Sequence, residues 1–450
     1  MKQLIYLTFL LFAHFSYAQQ RHTMTLQQCL EYAYTNSATI QKSLLDEQIA
    51  KARVNETIGI GLPQINGSAS LLYNFELAPN FLPANFFDPT APADADFIAR
   101  RGIFSPKFSS SAGITINQII FNGSYLVGLQ AAQTYTQLSK RNTETSKIAT
   151  AENVTKAYFS LLVAKERVTL LDNNLSRLDS LLKDVRALNK QGFAENLDLN
   201  RLEVTANNLR SEKNKVDRLI QLSNELLKFQ MGMPAQDQLD VTGSIRDFQL
   251  EQIPEQNVKA DYKSRIEYST LETGIALSEL NKKNVRSGYL PNLVAFGQMG
   301  YQTGTKYFAN IGDFKNRWLG YGTVGLQLNV PIFDGLQKKY KVQQSNLELL
   351  KLEQDRKNLE KAIDFQTNQS QITLRNALES LEIQKRNMEL AKEVVRVSQI
   401  KYKQGVGTSS DIVTAESAVK EAETNYYASL YDALIAKVDL DKALGKLIKN

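Results

Sequence analysis

Residues 191–203 read QGFAENLDLNRLE, and residues 404–416 read QGVGTSSDIVTAE. The two segments align without a gap at an offset of 213, pairing Gln191 with Gln404, Gly192 with Gly405, Asp198 with Asp411 and Glu203 with Glu416. By itself, the second segment has two readings. Gly405 and Gly407 followed by Thr408, Ser409 and an acid could cradle a phosphate or could turn the chain between two helices. A phosphate loop follows a strand, whereas about 70 residues of helical pattern lead into Gly405. The first copy also has Ala194 where Gly407 stands. One turn glycine and one acid six residues later are common to both copies, and that pattern predicts two helical hairpin tips.

Two further landmarks recur in the same order, so the chain reads as two copies of one unit. GLPQINGSASLLYNF at 61–75 matches YLPNLVAFGQMGYQ at 289–302, with Pro63 against Pro291. INQIIFNGS at 116–124 matches LNVPIFDGL at 328–336, with Gly123 against Gly335. Each unit is predicted to run helix, strand, loop, strand, long helix, tip turn, helix. The first repeat spans 19–235, with strands at 64–75 and 109–121, an outer loop at 76–108 and a tip turn at 190–196. A linker, or equatorial segment, follows at 236–262. The second repeat spans 263–450, with strands at 291–302 and 318–332, a loop at 303–317 and a tip turn at 403–409.

Local chemistry supports these boundaries. Pro63 and Pro291 mark the change from helix to strand, because proline lacks a donor and restricts the residue before it. Phe-Asn-Gly and Phe-Asp-Gly turn the chain from each second strand into a helix. Val324, Leu326, Leu328 and Val330 alternate with Thr323, Gln327 and Asn329, and Ile114 and Ile116 with Thr115 and Asn117. That alternation suits a barrel wall with lipid outside and water inside, and equally a half-buried strand of a soluble sheet.

From about 124 to 190 and 336 to 403 there is no proline and almost no glycine. Each such helix would extend about 100 Å. Leu171, Leu175, Leu178, Leu182 and Val185 keep heptad spacing, as do Leu202, Ala206, Leu209, Val216, Ile220 and Leu227, with Lys213 and Ser223 as polar exceptions. Residues 374–400 carry two stripes, Leu374, Leu378, Leu381, Met388 and Val395 beside Ile383, Leu390, Val394 and Val397. Two seams predict neighbours on both sides of the helix, as in the staves of a tube; the alternative is one broad amphipathic face in a bundle.

Composition bounds the function. Lys2, the apolar run Leu4 to Phe15 and Ser16-Tyr17-Ala18 read as a signal peptide over 1–18, cut after Ala18. The rest of the chain has no stretch of about 18 apolar residues, so a bilayer could be crossed only by a closed β-barrel. The single cysteine, Cys29, excludes an internal disulfide framework and reads as a buried packing group. Fifty-three Lys and Arg against 47 Asp and Glu, alternating in sign, give solvated helix faces rather than a nucleic-acid patch. With two histidines in the whole chain, a His-based triad or zinc site is hard to build, and Walker, HExxH and GxSxG signatures are absent. No catalytic, cofactor or metal residue is assigned, and an enzyme is not expected.

The ordered landmarks resemble the TolC-type outer-membrane efflux family over essentially the whole mature chain. They are Leu62-Pro63-Gln64, Phe121-Asn122-Gly123, Leu290-Pro291-Asn292, Pro331 to Gly335, and Tyr402 to Ala418. Arg265-Ile266-Glu267 resembles the family's Arg-Pro-Asp/Glu signature, with Ile in place of Pro. The resemblance implies an α+β membrane protein: a homotrimer whose chains each give four strands to a 12-stranded β-barrel, continuous with a long α-helical barrel in the periplasm. It implies a passive exit duct in the outer-membrane lipid, docked on a periplasmic adaptor protein and an inner-membrane pump. The competing expectation is a secreted or periplasmic coiled-coil scaffold with no pore.

The resemblance also assigns residues. Asp411 matches an acidic ring at the periplasmic mouth, and Asp198 takes the corresponding place in the first repeat. Tyr402 matches a tyrosine that hydrogen-bonds to the equivalent of Asp198 and holds the mouth shut. A second family acid is Thr414 here and a family arginine is Gly407, so a double ring is not implied and the latch is weaker or built differently. Clustered carboxylates raise one another's pKa and attract cations, while an acid in the first turn also caps a helix. Adaptor contacts are expected along grooves beside the tip turns, near Gly192, Gly405 and Gly407.

Overall fold

Thr25 opens the first helix with a reciprocal cap: its hydroxyl accepts from Gln28 N, and the Gln28 side chain accepts from Thr25 N at 2.9 Å. In the computed structural model, residues 21–243, 245 and 261–448 are described; the expected signal peptide, and most of the expected linker at 236–262, lie outside them. The elements are, in order, β1 (Arg21–Met24), α1 (Leu26–Asn36), α2 (Ala38–Ile60), β2 (Gln64–Tyr73), β3 (Pro79–Pro83), β4 (Phe97–Arg101) and β5 (Phe108–Phe121). There follow α3 (Gly123–Lys190), α4 (Asn196–Met231), β6 (Gln238–Val241), α5 (Ile266–Ser287), β7 (Asn292–Thr305), β8 (Leu319–Asn329), α6 (Gln337–Lys403) and α7 (Ser409–Ala443).

The chain forms two compact units, and each contains pieces of both sequence repeats. One comprises 49–137 and 274–352 and holds a four-stranded antiparallel sheet in the order β2-β5-β7-β8. Its register sorts the side chains. Ile65 pairs with Ile116, Ile114 with Met299, and Ala295 with Leu326, all on one face. Asn66 pairs with Thr115, Thr115 with Gln298, and Gln298 with Thr323 on the other. One face is therefore apolar and solvent-facing, with Val324 at 87% exposure, and the opposite face is polar. At the base of the sheet, Asn122 Oδ1 accepts from Tyr125 N at 2.9 Å and starts α3. A side chain at Gly123 would meet Ser287 and the Leu290 side chain at about 3 Å, so this glycine serves close packing.

Several boundaries differ from the sequence reading. The expected outer loop at 76–108 contains its own hairpin, β3 with β4, registered Phe81 to Ala99 and Leu82 to Ile98. The strand expected over 318–332 ends at Asn329, ahead of Pro331, which cannot donate to a ladder. The strand expected over 291–302 runs on to Thr305, and that over 64–75 stops at Tyr73.

The second unit comprises residues up to Gln48, 138–273 and 353 onward. Its largest core joins Cys29 and Ala33 of α1, Val154, Tyr158 and Leu161 of α3, and residues of α4, β6 and α7. A second core zips α3 to α4 through Leu171, Leu178, Val185, Leu202, Ala206 and Leu209. β1 and β6 pair in parallel; the sequence reading placed β6 in the linker and gave no strand to the start of the first repeat, where β1 lies. Asn224 Nδ2 donates to Leu239 O at 2.8 Å, and the buried Lys228 ammonium to Ala235 O at 2.8 Å, which fixes β6 against α4. Arg265, also buried, donates to Ala443 O and Gln366 Oε1, each at 2.9 Å, and pairs with Glu267 at 3.1 Å.

Candidate functional site

Both hairpin tips break at positions 213 apart: α3 ends at Lys190 and α6 at Lys403, and α4 begins at Asn196 and α7 at Ser409. Gly192 (φ +80°) and Gly405 (φ +76°) take the left-handed conformation that stops a helix at no steric cost. The carbonyls left behind are recovered by Phe193 N to Leu188 O at 2.9 Å and Val406 N to Lys401 O at 3.0 Å. Gly407 serves differently: a Cβ there would press on Lys401 and Tyr402 backbone at about 3 Å.

The two acids of the repeat have different partners. Asp411 is exposed and closes a capping box, accepting from Thr408 N at 2.9 Å and Thr408 Oγ1 at 2.8 Å, while Asp411 N donates back to Thr408 Oγ1. The Thr408 amide, then its hydroxyl, hold the Asp411 carboxyl below its ordinary range. Asp198, in the first turn of α4, accepts instead from the hydroxyl of the fully buried Ser409 of α7. The resemblance assigns that contact to Tyr402; here Tyr402 lies against the apolar cluster of α3, α4 and Ile412. Burial, and after it the nearby Asp198 charge, raise the Tyr402 phenol above its usual value. Ser409, one of the residues that link the hairpins, was read in the sequence only as part of the glycine turn; its partner lies 211 residues away and leaves no local signal.

Beside the tips, a groove of about 360 Å³ runs between α4 and α7, lined by Arg201, Val204, Asn208, Val413, Ser417 and Lys420 among others. Above the tips, two carboxylates of α7, Glu416 and Glu423, are buried against α3 and α6. Among the described residues, no helix is long and apolar enough to cross a membrane.

The profile of the outer membrane efflux protein family matches residues 29–232 and 276–446. The chain belongs to that family. A curated member, the outer membrane efflux protein BepC of Brucella suis, is 24% identical over 193 residues, covering 42% of this chain and 40% of BepC. That match therefore spans less than half of BepC. Solved structures extend the likeness to nearly the whole fold. The open state of the Neisseria gonorrhoeae MtrE outer membrane channel superposes with a TM-score of 0.69 at 16% identity, over 93% of this chain and 88% of MtrE. The Campylobacter jejuni CmeC outer membrane channel gives 0.68 at 14% identity, over 94% of this chain and 85% of CmeC. At such identities the family fold is shared while the tip residues are this chain's own.

Proposed function

We propose that this efflux-family chain is the outer-membrane exit duct of an efflux or secretion system, a homotrimer that conducts cargo passively. The observation that carries this reading is the four-stranded sheet. One of its faces is apolar and exposed, the other is polar, and both edge strands, β2 and β8, have only one neighbour among the described residues. Strands of 10 to 14 residues, as here, are long enough to cross a bilayer. An open edge is not tolerated in lipid, and four strands are too few to close on themselves. Three copies joined edge to edge would give a 12-stranded wall, polar inside and apolar towards lipid. Cleavage after Ala18 would deliver the chain to the periplasm, where the helical hairpins would lie.

The exposed stripe Ile383, Leu390 and Val394 on α6 supports the same assembly. The other stripe, Leu374, Met388 and Val395, is already buried within the chain. A periplasmic adaptor would use the α4–α7 groove near Gly192 and Gly405, and an inner-membrane pump would supply energy. Asp411, exposed at the tip, would form a threefold ring of carboxylates at the inner mouth. The test is reconstitution of the purified protein in planar bilayers. Cation-selective conductance is expected, and its complete absence would remove the duct reading.

A further inference from the structure

The two ends of the four-stranded sheet differ in charge. In the connections at the end away from the helices, 74–107 and 306–318, six Lys and Arg stand against five Asp and Glu. Two ion pairs form there, Arg101 with Glu76 and Arg317 with Asp313. At the end joined to the helices, 282–291 and 330–341 hold Lys282, Lys283, Arg286, Lys338, Lys339 and Lys341 against one acid, Asp334. The two other junctions at that end, 59–63 and 121–124, hold no charge. Lys338 pairs with Asp334 at 3.7 Å, and the other five cations have no ion-pair partner among the described residues. A solvated surface mixes both signs, as the far end does; the helix end does not.

Helix electrostatics account for half of this excess. Lys282, Lys283 and Arg286 lie in the last six residues of α5, where the helix dipole favours cations. Lys338, Lys339 and Lys341 lie in the first five residues of α6, where the dipole opposes them, and no acid stands in that first turn. These lysines are stabilised only if anions come to them from outside the chain. Their surroundings indicate which anions. The Lys338 stem crosses Gly288, where a Cβ would meet its Cε at 3.5 Å, and its ammonium stands 5.4 Å over the Tyr289 ring. The Lys339 ammonium lies 5.9 Å from the centre of the Tyr340 ring, and both rings are about half exposed. The exposed apolar line Val324, Leu326 and Leu328 continues past β8 through Val330 to Ile332, which is 94% exposed. An apolar wall thus gives way to tyrosines and lysines together, the order in which a bilayer passes from hydrocarbon to headgroups.

We propose that Lys338, Lys339 and Lys341, with the basic end of α5 and the rings of Tyr289 and Tyr340, form a collar that binds anionic phospholipid headgroups. The proposal rests on the duct reading for placing the sheet in a bilayer. The lipid phosphates lie beside the lysines, and the acyl chains run along the apolar face of the sheet. A lipid uses both the cations and the apolar line next to them, whereas a free phosphate ion uses the cations alone. Lysine stems lie along the apolar surface and hold their ammonium groups at headgroup level, where a cluster of this size selects anionic over zwitterionic lipid.

The experiment is native mass spectrometry of the full chain, released from nonionic detergent containing equal amounts of phosphatidylglycerol and phosphatidylcholine with the same acyl chains. The wild type should retain phosphatidylglycerol over phosphatidylcholine about tenfold, and the preference should fall as salt is raised. Lys338→Gln with Lys339→Gln and Lys341→Gln should bring the ratio close to one. The matching change at the far end, Lys306→Gln with Lys315→Gln and Arg317→Gln, should leave it unchanged. If the α6 variant fails to fold, Lys283→Gln with Arg286→Gln decides in the same way. A wild-type ratio near one, or a preference that the α6 variant keeps, would overturn the collar whatever the conductance. A variant that loses the trimer and keeps the preference would overturn it too, assigning the lysines to contacts between copies. Selective retention by a wild type that shows no conductance would instead overturn the duct reading and leave the collar as a membrane-surface site.

Discussion

Asp411 and Asp198 occupy one place in two copies of a hairpin, yet one caps its own helix while the other accepts a bond from the neighbouring hairpin. The exposed cap acceptor can be separated from the charge by substitution. Asp411→Asn keeps an oxygen for Thr408 and removes the charge, so it should relieve divalent-cation block of the reconstituted channel and leave helix content intact. Asp411→Ala should relieve block and also fray the start of α7, seen as faster exchange at 409–412. If block persists in both variants, the carboxylate does not face the conduction path. The pH dependence has a definite sign. Because hydrogen bonds from Thr408 lower the Asp411 carboxyl, its capping contribution is present above the ordinary aspartate value of 3.8 and is lost as pH falls through the lower folded value. Cys29 gives a second residue-scale check. Burial pushes its thiol up to about 12, so a maleimide at neutral pH should label it only after unfolding. Rapid labelling of the native protein would contradict its place in the core.

At the scale of elements, helices were the most legible part of the sequence. Absence of proline across 124–190 and 336–403 and heptad leucines fixed α3 and α6 nearly to the residue, and one glycine at each tip fixed where they stop. The heptad reading also found the core: Leu178, Val185, Leu202 and Ala206 are fully buried in the α3–α4 seam. Leu178→Ala should accordingly cost about 2–5 kcal/mol, measured as a lowered midpoint of denaturant unfolding. A loss below about 1 kcal/mol would mean that the seam repacks around the cavity. What could not be read were contacts between distant segments. β1 and β6 are four residues each and lie more than 200 residues apart, too short for a period and too far for a turn signal. β3 and β4 were hidden by prolines at both ends of β3. The inward turn of Glu416 was also invisible, since its counterpart Glu203 has the same local sequence position and is only half-buried. Burial of that carboxylate is decided by Arg177, which no periodicity pairs with it.

For the whole molecule, the decisive fact is surface that one chain leaves without a neighbour. Among the described residues β2 and β8 keep open edges, and α6 presents Ile383, Leu390 and Val394 at more than half exposure. Helix α6 already buries Leu374, Met388 and Val395 within the chain, so the exposed Ile383, Leu390 and Val394 are not needed for the fold of the single chain. A charged side chain on this second stripe should act on assembly alone. Ile383→Glu with Val394→Glu would place two carboxylates in each of the three equivalent seams of the proposed trimer, where they have no partner and lose their water. The expected outcome is a trimer-to-monomer change in detergent by light scattering, with helix content by circular dichroism unchanged and conductance abolished. Conservative changes, Ile383→Val with Val394→Ile, should leave the trimer intact, since seams tolerate apolar swaps of similar volume. A glutamate variant that stays trimeric and conducting would show that this stripe faces something other than a second copy. The two open strand edges would then have to account for assembly alone.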